Sequence, residues 1–219
     1  GGDSASVSNS LTSGITQIYS NQRAFAAVKT DGSVVSWGSS NKGGNSASVS
    51  NSLTSGVTQI YPNQRAFAAL KTDGSVVTWG YSDFGGDSAS VSNSLTSGIT
   101  QIYSTDRAFA AVKTDGSVVT WGHSDYGGNS DSVANSLTSG VTQIYSNTND
   151  SGAGVFAALK SDGSVVTWGD SNNGGNSDSV SNSLTSGVTE IYSNQRAFGA
   201  LKTDGSVVTW GHSDYGGNS

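Results

Sequence analysis

The chain has 219 residues and a net charge of −6, only 12% of its residues are charged, and it contains no cysteine. These figures exclude a disulfide framework, a thiolate metal site and the basic stripe that nucleic-acid binding requires. They leave room for one domain with a substantial core, since a chain of this length buries roughly 70% of its unfolded surface. Glu190 is the sole glutamate beside many aspartates. Asp favours turns and Glu helices, so the asymmetry points to turns and strands. Methionine is absent even at position 1, the expectation being a processed chain or a piece of a longer one. No apolar run nears the roughly 20 residues that span a bilayer, and no secretory leader is visible.

A Gly-Gly pair followed by Asp or Asn and then Ser recurs at Gly1, Gly43, Gly85, Gly127, Gly174 and Gly216, at spacings of 42, 42, 42, 47 and 42. The chain thus reads as one repeat domain over 1–219. Its repeats are 1–42, 43–84, 85–126, 127–173 and 174–215, and 216–219 begins a sixth or serves as a closure segment.

Within the second repeat, Gly43 to Ser55 is small and polar, with two apolar points at Val49 and Leu53, and predicts a loop with a weak edge strand. Val57-Thr-Gln-Ile60-Tyr61 is β-branched and aromatic, the composition of a strand. A short turn over Pro62 to Arg65 follows. Ala66 to Gly80, AFAALKTDGSVVTWG, then predicts a hairpin, with Asp73-Gly74 as a type I′ turn between two apolar runs. Alternate residues of the hairpin strands are apolar on both sides, so both faces are expected to be covered. Single Arg and Lys residues recur in most copies as solvated strand ends.

Three firm strands and one weak strand in about 40 residues is the signature of a β-propeller blade. The expected fold is all-β: a propeller of five blades, each a four-stranded antiparallel sheet. Part of a larger propeller and an open repeat array are the alternatives.

The order Gly-Val-Thr-x-Ile, Phe-Ala-Ala-Leu-Lys, Asp-Gly-Ser-Val-Val-Thr-Trp-Gly, four residues and Gly-Gly resembles the RCC1-type propeller repeat, five times over. It looks closest to the short bacterial RCC1-like repeats of the group that includes the inhibitor protein BLIP-II. The turn Gly-Gly-Asn/Asp-Ser departs from the family's Gly-Gln turn, and the best-known members close with seven blades. The resemblance implies a propeller fold and, for the BLIP-II-like group, partner binding through loops on one face. Nucleotide exchange of the RCC1 kind is not expected of an acidic chain with five copies.

Because the copies are so alike, their differences are informative. The four residues after each Trp-Gly vary: Ser39 to Lys42, Tyr81 to Phe84, His123 to Tyr126, Asp170 to Asn173 and His212 to Tyr215. They fall at equivalent positions, so on one rim of a ring. Tyr81, Asp83, Phe84, His123, Asp125, Tyr126, His212, Asp214 and Tyr215 are the candidate partner-binding residues. Loops on a rigid scaffold carry function, and rigid aromatics make good contacts. The plainer alternative is a turn whose aromatic caps a neighbouring blade. The second variable place precedes the Ala-rich strand. It carries five extra residues in the fourth copy, including a formal glycosylation acceptor at Asn149-Asp-Ser151.

No catalytic constellation stands out. His123 and His212 lie in repeats three and five, not in adjacent ones. The turn aspartates Asp31, Asp73, Asp115, Asp162 and Asp204 read as turn formers. Calcium is possible on Asp, Asn and Ser oxygens, but the spacing matches no calcium loop, and neither cofactor nor metal is expected. The five tryptophans could line sugar sites, though their place inside a strand favours core.

The expectation is a non-enzymatic scaffold, extracellular or at the cell surface, binding a protein or surface partner through the loops after Trp-Gly. The alternatives are a self-associating spacer or fibre segment and a propeller lectin. No nucleic acid and no membrane insertion are expected.

Overall fold

The computed structural model describes residues 3–148 and 154–218. The insertion of the fourth repeat, with its acceptor Asn149-Asp-Ser151, lies outside the described residues. The strands are β1 (Ile15–Ser20), β2 (Ala24–Lys29) and β3 (Val34–Gly38) in repeat one, and β4 (Val57–Pro62), β5 (Ala66–Lys71) and β6 (Val76–Gly80) in repeat two. Repeat three has β7 (Ile99–Ser104), β8 (Ala108–Lys113) and β9 (Val118–Gly122), and repeat four has β10 (Val141–Thr148), β11 (Gly154–Lys160) and β12 (Val165–Gly169). Repeat five has β13 (Val188–Ser193), β14 (Ala197–Lys202) and β15 (Val207–Gly211). Each set is a three-stranded antiparallel sheet in sequence order, so the chain is all-β with one propeller-type blade per repeat.

The weak fourth strand is not formed among the described residues. Its place in repeat two is taken by a 3-10 helix, Ala47–Leu53, and the other repeats have the same element at Ala5–Leu11, Ala89–Leu95, Asp131–Leu137 and Asp178–Leu184. The cause is local side-chain chemistry. Asn45 Oδ1 accepts from the Ala47 amide at 2.8 Å, and Ser50 Oγ donates to the Ala47 carbonyl at 3.0 Å. Such short polar side chains offer the backbone partners that compete with a sheet ladder. Leu53, 2% exposed, anchors the helix to the core.

The hairpin turn also differs from expectation. No described non-glycine residue has positive φ, whereas Gly74 lies at +73°. The Gly74 amide donates to the Lys71 carbonyl, and the Lys71 amide to the Ser75 carbonyl, both at 2.9 Å. This is a type I turn closed by a left-handed glycine, a G1-bulge hairpin rather than type I′. Asp73 stays at negative φ, where its carboxylate accepts from the Ser75 amide at 2.9 Å and from Ser75 Oγ at 2.6 Å.

Hydrogen bonds from the serine two residues on lower the carboxyl pKa of all five turn aspartates, Asp31, Asp73, Asp115, Asp162 and Asp204, below the ordinary 3.8. A carboxyl whose folded pKa is depressed contributes stability above its unfolded pKa and loses it as the pH falls through the folded value. Thermal unfolding is therefore expected to show a constant contribution from these turns down to about pH 4 and a progressive loss below it. A variant with the five aspartates changed to asparagine is expected to flatten that acid limb.

The chain divides into two units, residues 1–102 and 103–219, with the division inside β7. In the first, Ala24, Ala26 and Val28 of β2 pack against Leu53, Val57, Ile60, Phe67, Ala69 and Trp79 of the next repeat. The second unit repeats this layer twice. Ala108, Ala110 and Val112 meet the fourth repeat's Leu137, Val141, Ile144, Phe156, Ala158 and Trp168. Val155, Ala157 and Leu159 meet the fifth repeat's Leu184, Val188, Ile191, Phe198, Ala200 and Trp210. One face of β11 thus serves repeat three and the other repeat five, as apolar residues on both faces require. The alanines let neighbouring sheets approach closely.

Candidate functional site

The tryptophans are core. Trp79 is 2% exposed, stacks on Phe67 directly across the sheet with centroids 5.3 Å apart, and donates its indole N–H to the Gly43 carbonyl at 3.0 Å. Trp168 and Trp210 donate in the same way to the carbonyls of Gly127 and Gly174. A sugar site lined by these indoles is not available in such packing.

The variable loop begins where that strand ends. A single 3-10 turn, Ser82–Phe84 in repeat two, is terminated by Gly85 at φ +83°. Its backbone is held from three sides. The Tyr81 amide donates to the Arg65 carbonyl at 3.0 Å, and the Gly86 amide donates to the Tyr81 carbonyl at 3.0 Å. Asn63 Nδ2 donates to the Phe84 carbonyl, while Asn63 Oδ1 accepts from the Ala66 amide at 2.8 Å. One buried side chain therefore ties the start of β5 to the end of the loop, and so joins the two variable places of the repeat. Asn21, Asn147 and Asn194 make the same bond to Lys42, Asn173 and Tyr215, and Thr105 Oγ1 makes it to Tyr126 at 2.8 Å.

On this frame the candidate side chains form paired clusters. Tyr81 meets Phe84 edge-on at 5.4 Å, His123 meets Tyr126 at 4.8 Å, and His212 meets Tyr215 at 5.4 Å. Asp83, Asp125 and Asp214 are exposed beside them. Phe84 is a correction: it is 4% exposed, an apolar side chain packed inward, and offers no contact surface. Tyr81, His123, Tyr126 and His212 are partly exposed, and Tyr215 is 39% exposed.

The arginines are more than solvated strand ends. Arg65, Arg107 and Arg196 place their guanidinium groups over the rings of Phe84, Tyr126 and Tyr215 at 5.0, 4.5 and 5.1 Å. In the first unit, Lys42 of repeat one reaches the Tyr81 ring of repeat two, its ammonium 3.5 Å from the centroid. Desolvation, and then the charges of Arg65 and Arg23, lower the Lys42 pKa. Lys42 thus lies over the Tyr81 ring within the electrostatic reach of Arg65 and Arg23. The sequence signal for this was the arginine standing two residues after Asn or Thr in the repeats that carry the loop aromatic.

In the second unit an open cleft of about 590 Å³ lies between the loops of repeats four and five, lined by Asn172, Asn173, Arg196, His212 and Ser213. Among the described residues no group of three or more His, Asp or Glu side chains converges on a metal position. No described helix is long and apolar enough to cross a membrane. The arrangement is a set of aromatic and cationic surfaces.

No family model and no curated protein matches the sequence. Solved structures do. Human WBSCR16 superposes with a TM-score of 0.51 at 21% identity, over 90% of this chain and 61% of that one. The yeast RCC1 protein Prp20, solved with Kap60, gives 0.51 at 17%, over 90% and 56%. The fold is RCC1-like. A second structure of Prp20 from Saccharomyces cerevisiae, a protein that binds Gsp1p and histones, gives 0.51 at 15%, over 90% and 58%. The chain thus spans about three fifths of the length of these RCC1-like propellers. At such identities the likeness is one of fold, and the loops after Trp-Gly have to be read from their own chemistry.

Proposed function

We propose that this RCC1-like chain is a non-enzymatic scaffold that binds a protein partner outside the cell through the loops following each Trp-Gly. The observation that carries the reading is the aromatic–arginine cluster, present in repeats two, three and five on a backbone that does not vary. Tyrosine and arginine held in place before contact bind at low entropic cost and dominate protein interfaces. The solved structures of Prp20, one with Kap60 and one described with Gsp1p and histones, support protein binding as a use of this fold. The low-charge composition, rich in Ser, Thr, Asn and Gly, is what supports an extracellular setting.

The test is a triple variant, Tyr81→Ser, Tyr126→Ser and Tyr215→Ser. The immobilised wild-type chain is expected to retain a defined protein from the secreted and surface fraction of its source. The variant is expected to retain none while keeping its far-ultraviolet circular dichroism and a thermal midpoint within a few degrees. Equal retention by both chains would refute the reading, and so would unfolding of the variant, which would make these rings core.

A further inference from the structure

The loops after Trp-Gly meet between successive repeats, and two of these junctions, each inside one unit, differ in what fills them. Between repeats one and two, Lys42 spans the gap and sets its ammonium 3.5 Å from the centre of the Tyr81 ring. Arg65 lies within electrostatic reach of it. Between repeats four and five, the positions of Lys42, Tyr81 and Arg65 are taken by Asn173, His212 and Arg196. The long side chain is gone, and the open cleft of about 590 Å³ stands there. Both of its walls belong to adjacent repeats of the second unit.

The side chains around the cleft divide by hydrogen-bonding role. Arg196 brings a guanidinium, a planar set of N–H donors that matches a carboxylate in shape and charge. Its stack over Tyr215, at 5.1 Å, orients the group. Asp170, the acid of the repeat-four loop, is engaged with its own backbone, accepting from the Asn172 amide at 2.9 Å. His212 accepts from the Asp214 amide at Nδ1, 3.3 Å away, so its ring N–H is at Nε2 and is a second donor. Asn173 supplies an acceptor. It lines the cleft, is 7% exposed, and its Oδ1 has no hydrogen-bond partner. Asn147 next to it is satisfied at both ends: Nδ2 donates to the Asn173 carbonyl at 2.8 Å, and Oδ1 accepts from the Val155 amide at 3.1 Å. A buried acceptor without a donor is costly. The terminal torsion of asparagine is soft, so a turn of the amide presents that oxygen to the cleft. The lining has no Tyr, Trp or Phe, the flat faces on which sugar rings pack.

We infer that the cleft between the loops of repeats four and five binds a carboxylate of a protein partner together with the N–H beside it. The carboxylate meets Arg196 and His212, and the N–H meets Asn173. A peptide carries this pair in two places, at its C-terminal residue and at an aspartate or glutamate with its own backbone amide. The inference rests on the reading of these loops as a protein-binding rim, and gives one point of that rim a chemical preference. At the junction of repeats one and two, the chain's own lysine already lies over the ring that corresponds to His212.

The test titrates the whole chain with small blocked peptides and follows its backbone amide signals by nuclear magnetic resonance. Acetyl-Ala-Ala with a free carboxylate and acetyl-aspartyl methylamide represent the two sources, and acetyl-Ala-Ala amide represents neither. One or both acids are expected to shift Asn172, His212 and Ser213 saturably, and the amide to bind about tenfold more weakly or less. Arg196→Gln is expected to weaken the acids by a similar factor. Asn173→Phe is expected to abolish their shifts with circular dichroism unchanged. Phenylalanine already fills this socket at Phe84, under the same clasp from Asn63. Equal binding of acid and amide, or unchanged binding in either variant, would overturn the inference. So would shifts from methyl glucuronide but from neither peptide acid, or no shift from either acid at its solubility limit. Partner retention by the rim and peptide binding by the cleft are measured separately, so either can fail without the other.

Discussion

Changing Trp168 to alanine is expected to cost the second unit about 3–5 kcal/mol, the range for truncating a large buried aromatic. The side chain is 2% exposed and stacks on Phe156 at 5.3 Å. Its loss leaves a cavity against that ring and strips the Gly127 carbonyl of its indole donor, 3.1 Å away. Changing Trp168 to phenylalanine is expected to cost less. It keeps part of the stack and loses the donor together with part of the ring volume, for about 1–3 kcal/mol. Urea unfolding measures both, and hydrogen exchange is expected to show the loss of protection centred on β10, β11 and β12. A tryptophan engaged mainly with solvent would give less than about 1 kcal/mol in either variant.

The second large effect is expected at Gly128. A Cβ there would lie 2.4 Å from both the carbonyl carbon and oxygen of Gly122 and 2.7 Å from the His123 carbonyl. Backbone cannot rotate out of the way as a side chain can, so Gly128→Ala is expected to cost about 3 kcal/mol, the upper part of the overpacking range. It also pushes apart the turn that carries His123 and Tyr126. Gly199 is the control. It stands in β14 where the other repeats have alanine, and a Cβ on it would meet only the Thr209 methyl, at 3.8 Å. Gly199→Ala is expected to be neutral or to stabilise by about 0.4–1 kcal/mol, through the unfolded chain. The two substitutions are chemically identical, so a difference in denaturation midpoint between them reports the surroundings alone.

That contrast shows how much of this molecule was legible in its residues. The 42-residue period, the strands and the apolar positions on both faces predicted stacked blades, and the tryptophans fell in the core. Apolar pattern is a local property that packing reinforces. The departures came where a polar side chain chose the backbone's partner. Asp-Gly promised a type I′ turn, but the bond from Ser75 to the Asp73 carboxylate holds the aspartate at negative φ and leaves the positive angle to Gly74 alone. Gly43 to Ser55 suggested a weak strand, but Asn45 and Ser50 bond the local backbone and wind it into a 3-10 helix. Gly-Gly after each loop read as a boundary mark. Its second glycine is there because it lies flat on the glycine of Trp-Gly.

The candidate site was legible in position and not in composition. The residues after Trp-Gly do cluster, yet Phe84 turned inward and the arginines turned out to belong with the rings. Arg65 and Phe84 are far apart in sequence, and no local pattern links a strand-entry arginine with a loop aromatic. Comparing copies links them only in part: repeat four has Gly154 where the arginine stands and Asn173 where the aromatic stands, whereas repeat one keeps Arg23 but has Lys42 at the aromatic's position.

The grip of Asn63 and its counterparts has a consequence for how such a chain diversifies. Each clasps a main-chain carbonyl of the loop and ignores the side chain beside it. Lysine, phenylalanine, tyrosine and asparagine have all been fitted to one socket, with the same bond to the carbonyl. Near-identical copies recombine readily, and a loop moved from one copy to another meets the same clasp on arrival. Shuffling of this kind changes what is displayed without reopening the question of whether the protein folds.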